Sequence, residues 1–88
     1  MKQSPDFLLR EVAGKMVLVP FGSAARRFPG MVTVNATGKY IWQLLKTEQT
    51  MQTLVAAVTQ RYEVDINQAQ TDTDAFLQKL KAVGAVTE

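Results

Sequence analysis

Two rhythms divide this sequence. Toward its start the apolar residues form short runs rich in β-branched side chains, whereas from Ile41 onward they recur every three to four positions. The first rhythm suits strands and the second suits helices that bury one face. Residues 7–12 and 16–19 flank the turn Ala13-Gly14-Lys15, which predicts a hairpin closed by Pro20. Residues 21–30, FGSAARRFPG, hold two Gly, a Pro and adjacent Arg26 and Arg27, so they read as a longer, mobile, cationic connection. A third strand over residues 31–34 turns Val32 and Val34 to one face and Met31 and Thr33 to the other.

The remainder predicts three helices. Asn35 or Thr37 caps the first, whose apolar positions Ile41, Leu44 and Leu45 carry it to about Lys46. Thr50 caps the second, with Met51, Leu54, Val55, Val58 and Tyr62 in one stripe. Asp65 with Gln68 resembles a capping box for the third. There Ile66, Ala69, Thr73, Phe76, Leu80 and Val83 step by threes and fours, Leu77 widens the stripe, and Gly84 ends it as an αL residue. That helix spans about eighteen residues, roughly 27 Å. Strands followed by helices predict an α+β fold, a three-stranded antiparallel sheet and then three helices (βββααα).

Composition narrows the function. At 88 residues the chain is expected to be one domain, 1–88, with a thin core. Cysteine and histidine are absent, which removes disulfides, thiolate nucleophiles, imidazole bases and the usual zinc ligands. No catalytic group, metal ligand or cofactor site is expected. Ten cations and eight anions are interspersed and give a net charge of +2, a weak argument for nucleic acid. The apolar runs fall short of the ~18 residues a membrane span needs, and no secretory signal is visible, so the expected compartment is the cytoplasm.

Two local patterns invite chemistry and fail to support it. Asn35-Ala36-Thr37-Gly38-Lys39 places Gly-Lys between a strand and a helix, but it lacks the first glycine of a phosphate loop, and Tyr40 stands where a hydroxyl ligand for magnesium belongs. A tight corner in which Gly38 permits close packing explains it better. Asp72 and Asp74, two apart on a helix, diverge by about 200° and cannot share a metal or a proton. Tyr40 and Trp42 are expected to serve the core rather than to stack on bases.

A surface argument remains. A three-stranded sheet has open edges, and the strand over 31–34 can accept another chain as an added strand against the wall of the third helix. A winged helix-turn-helix that binds DNA is the competing reading. Its electrostatic footprint is poor, because Lys79 and Lys81 share the third helix with Asp72 and Asp74, and the second helix adds only Arg61. A structural subunit of a larger complex is a third.

Four segments together, VNATGKYIWQLL, the helix-opening Thr50, YEVD at 62–65 and D…FLQKLKAVGAV at 72–86, resemble the PqqD family of precursor-peptide recognition elements. The resemblance runs over about residues 7–86. It implies a winged-helix-like domain that binds the leader of a ribosomally made precursor peptide and presents it to a modifying enzyme, often a radical S-adenosylmethionine protein. It further implies that the leader adds to the third strand, at Met31, Val32, Thr33 and Val34, and lies in a groove formed by Thr73, Phe76, Leu77 and Leu80. Arg26 and Arg27 lie nearby in sequence and would favour an acidic leader. The same open edge also permits dimerisation.

Overall fold

The computed structural model describes residues 1–28 and 30–87. Its elements run β1 (Lys2–Gln3), β2 (Phe7–Val12), β3 (Lys15–Pro20), α1 (Ser23–Arg27), β4 (Val32–Val34), α2 (Ala36–Leu44), α3 (Met51–Tyr62), α4 (Ile66–Val83) and β5 (Val86–Thr87). The fold is α+β. β2, β3 and β4 form the expected antiparallel sheet in that order, and β1 and β5 pair separately.

Three elements differ from the expected order. β1 and β5 have two residues each, too few to show a period of two, and form because the chain ends meet, with Lys2 opposite Thr87 and Gln3 opposite Val86. The third is α1, which occupies the connection expected to be mobile; its run SAARR contains good helix formers, and Ala24 is buried. Pro29 of that connection lies outside the described residues.

The hairpin turn is specific. Ala13 and Gly14 both have positive φ, 52° and 79°, as a two-residue hairpin with the right-handed strand twist requires. Downstream, α2, α3 and α4 are each capped from their own sequence. Asn35 accepts the Gly38 N–H at 2.8 Å, and Thr50 and Thr53 form a reciprocal box at the start of α3. Asp65 accepts from Asn67 at 2.9 Å rather than pairing with Gln68, which instead donates to Asp72 at 2.8 Å. Gly84 closes α4 in the αL conformation.

The core lies between the inner face of the sheet and the helices. Phe7, Leu18, Val32 and Val34 meet Ile41, Trp42 and Leu45 of the α2 segment, Leu54 and Val58 of α3, and Ala69, Leu77 and Leu80 of α4. Trp42 is core, as expected, and Tyr40 is half-buried. Ile66, counted in the apolar stripe of α4, is instead 60% exposed, because it precedes the turn at which the helix meets the core.

Candidate peptide-binding groove

β4 pairs with β3 on one side only, so its other edge is open among the described residues. Which residues offer their backbone there follows from the hairpin. Val12 and Lys15 flank the two-residue turn, which makes them a hydrogen-bonded pair. N–H and C=O groups alternate sides along a strand, so Lys15, Val17 and Val19 point to β2, while Met16 and Leu18 point to β4. The Phe21 N–H bonded to the Asp6 carbonyl at 2.9 Å continues that parity. Met16 stands opposite Val34 and Leu18 opposite Val32, so the backbone groups of Val32 and Val34 are turned toward β3. Thr33, between them, sends its N–H and C=O out of the sheet.

Side-chain burial agrees with this alternation. Val32 is 8% and Val34 4% exposed, both facing the core, whereas the Thr33 side chain is exposed. Of the four residues singled out on this strand, Thr33 thus presents both its backbone groups at the strand edge, and the Met31 carbonyl, trans to the Val32 N–H, faces the same way. Met31 precedes the strand and contributes a side chain that is 58% exposed.

Alongside this edge runs a trough formed by two depressions, of about 230 and 380 Å³, that share Thr33 and Lys79. The first reaches from Asn35, Thr37 and Gly38 to Asp72, Ala75 and Phe76, and the second is bounded by Met31, Ala82 and Val83. The wall contributed by α4 is thus Asp72, Ala75, Phe76, Lys79, Ala82 and Val83, one stripe at helical spacing. It lies beside the core stripe rather than on it. Thr73, Leu77 and Leu80 are 0% exposed and offer no surface to a ligand; Phe76 alone of the four expected groove residues on α4 lines the trough. Arg26 and Arg27 are exposed on α1, and neither lines the trough.

Gly38 shapes the floor of the first, more enclosed depression. A Cβ at that position would stand 3.0 Å from Phe76 Cε1 and 3.0 Å from Val34 Cγ1, so the absence of a side chain lets β4, α2 and α4 converge. Its N–H is taken by the Asn35 cap, and Lys39 is exposed on another face of α2. The Gly-Lys corner is a packing device in which the Gly38 and Lys39 N–H groups are both bonded to Asn35. Asp72 and Asp74 diverge as expected: Asp72 lines the trough and Asp74 lies in a separate depression with Met51 and Asn67. Among the described residues no three His, Cys, Asp or Glu side chains are grouped as a metal site needs.

Ala75, Lys79 and Ala82 were not among the expected groove residues. Their only signal was position, one step around α4 from the apolar stripe, and two of them are alanines that look like filler in a helix.

The family model for coenzyme PQQ synthesis protein D (PqqD) matches residues 15–86. The chain belongs to the PqqD family. The matched span contains the sheet's central strand, the open edge and all of α4, so the trough of this PqqD-family chain lies wholly within it. No curated protein matches the chain. Among solved structures it is similar to TbiB1 in complex with the TbiA(beta) leader peptide, with a TM-score of 0.72 and 24% identity over 97% of this chain and 93% of that one. That likeness establishes a shared fold. Among the described residues, no helix is long and apolar enough to cross a membrane.

Proposed function

We propose that this PqqD-family chain is a non-catalytic binding protein that captures the leader segment of a ribosomally made precursor peptide. The leader adds as a strand to the open edge of β4, on a winged-helix-like framework, and is presented in the cytoplasm to a modifying enzyme of the radical S-adenosylmethionine class. The observation that carries this reading is the outward-facing Thr33 backbone at the rim of a trough walled by α4. Support comes from family membership and from the leader peptide bound by TbiB1, a protein of the same fold. Tethering a disordered leader raises its effective concentration at the enzyme, and the cost of ordering it keeps affinity moderate.

The test is an amide-resolved NMR titration with the leader encoded beside this chain, with random duplex DNA as a parallel ligand. Peptide-induced shifts confined to residues 31–34 and to Ala75, Phe76, Lys79 and Val83 are expected. Thr33→Pro deletes the outward N–H and should weaken leader binding while the amide spectrum stays folded, because proline is tolerated at a strand edge. Val32→Pro deletes an N–H directed at β3 and should instead destabilise the sheet. Leader binding that survives Thr33→Pro unchanged would sink strand addition at this edge, and steeply salt-dependent binding of the duplex would favour a DNA-binding regulator.

A further inference from the structure

On the opposite side of α2 lies a second recess, unrelated to the trough. Ala36, Lys39, Tyr40 and Gln43 of α2 line it together with Arg61 and Tyr62 from the end of α3. At 100° per residue, these α2 positions are centred about 160° around the helix from Thr37, Gly38 and Ile41, which face the trough. We infer that this recess is a carboxylate-binding site that docks an acidic side chain of a partner protein.

The guanidinium of Arg61 is held in place by aromatic rings. Its Cζ lies 4.7 Å from the Tyr40 ring centroid and 5.7 Å from that of Tyr62. The two rings are themselves locked edge to face, with centroids 6.0 Å apart and planes at 83°. The Tyr62 hydroxyl is tied down in turn by donating to the Ala36 carbonyl at 3.3 Å. A guanidinium fixed over rings keeps its N–H fork available at little entropic cost, and that fork matches a carboxylate.

Charge selects the occupant. No acidic residue lines the recess, and among the described residues neither Lys39 nor Arg61 makes an ion pair. The long-stemmed Lys39 and the Gln43 amide, one turn apart, add donors on the same wall. Two cations are too few for a nucleic-acid backbone, whose binding rests on many neutralised phosphates. A carboxylate from a protein surface needs no more than this recess supplies. Because the site faces away from the trough, an acidic partner can dock while a peptide occupies β4, and the inference stands whether or not a leader binds there.

The probe is acetyl-triglutamate amide, titrated into the ¹⁵N-labelled chain at constant ionic strength, with acetyl-triglutamine amide and a short random DNA duplex as controls. Saturable shifts are expected at Lys39, Tyr40, Gln43 and the Arg61 side-chain N–H, with Thr33 and Phe76 unmoved and no response to triglutamine. Arg61→Gln should weaken the binding about two- to fivefold, the range of a single exposed ion pair. Lys39→Gln should do the same, and it changes only an exposed side chain should Arg61→Gln disturb the end of α3. Shifts that fail to saturate, an equal response to triglutamine, tighter saturable binding of the duplex, or unchanged affinity in the folded variants would each overturn the assignment.

Discussion

Gly38→Ala tests how β4, α2 and α4 are brought together. The added Cβ would meet Phe76 Cε1 and Val34 Cγ1, each at 3.0 Å, and Asn35 Oδ1 at 3.3 Å. Carbon atoms pack best at about 3.5–4.0 Å, so two neighbours must give by a few tenths of an ångström. Val34 is β-branched, buried and in the sheet, so it yields little; Phe76 is half-buried at the rim and must turn. Overpacking of this kind costs about 1–3 kcal/mol. Against it stands the helix preference for alanine over glycine, at most about 1 kcal/mol and less in a first turn. The expected balance is a loss of about 1 kcal/mol, read as a lower urea midpoint with unchanged m value and a Tm lower by about 4–8 °C. A double-mutant cycle with Phe76→Ala locates the strain: Gly38→Ala should cost clearly less in the Phe76→Ala background, with a coupling of at least about 0.5 kcal/mol. A Gly38→Ala chain as stable as the parent, or no coupling to Phe76, would refute the packing argument.

Other substitutions probe separate links. Asn35→Ala removes the cap on Gly38 and should cost about 1 kcal/mol in thermal unfolding, whereas Asn35→Asp keeps the acceptor and should cost much less. Ala13, at φ 52°, is a non-glycine residue in the left-handed region, so Ala13→Asn should stabilise the hairpin by about 0.5–1 kcal/mol in a urea titration; a loss would contradict the turn geometry. The Thr73 hydroxyl is buried without a partner, and Thr73→Val replaces it by a methyl of the same shape, so denaturation should show stability unchanged or raised by about 1 kcal/mol. Leu77→Ala should cost about 2–5 kcal/mol, while Lys79→Gln, two positions on but exposed, should leave the urea midpoint within about 0.5 kcal/mol of the parent.

The three long helices, α2, α3 and α4, were legible because each signals its own start with a capping side chain, whereas α1 has no such cap. α4 runs over Ile66–Val83 with Asp65 before it and Gly84 after it, as the spacing predicts, and the hairpin falls where Ala13-Gly14-Lys15 separates two apolar runs, with Lys15 itself in β3. What periodicity could not supply was which side of a helix stays uncovered. Thr73, Phe76, Leu77 and Leu80 share one apolar arc, yet only Phe76 reaches the trough, because the core takes the centre of the arc and the surface takes its border. β1 and β5 were illegible for a different reason: their pairing joins residues 85 apart in sequence, Lys2 and Thr87, and no local pattern encodes a meeting of the chain's ends. Arg26 and Arg27 were placed by proximity in sequence; they stand exposed on α1 and are not among the residues that line the trough.

The brevity of β4 sets how a strand added there would be held. Thr33 supplies one outward N–H and one outward C=O and Met31 one outward C=O, and a backbone hydrogen bond contributes about 0.5–1.5 kcal/mol net. Three such bonds give about 1.5–4.5 kcal/mol, while a micromolar complex needs about 8 kcal/mol. Most of the affinity must then come from side chains entering the trough beside Phe76, Lys79, Met31 and Val83, with the strand edge fixing register more than strength. The same shortness protects the chain, because a three-residue edge is a poor template for pairing with copies of itself. Selectivity for a partner would therefore reside in α4, and substitutions along its trough-facing stripe should discriminate between peptides that the Thr33 backbone, blind to side chains, treats alike.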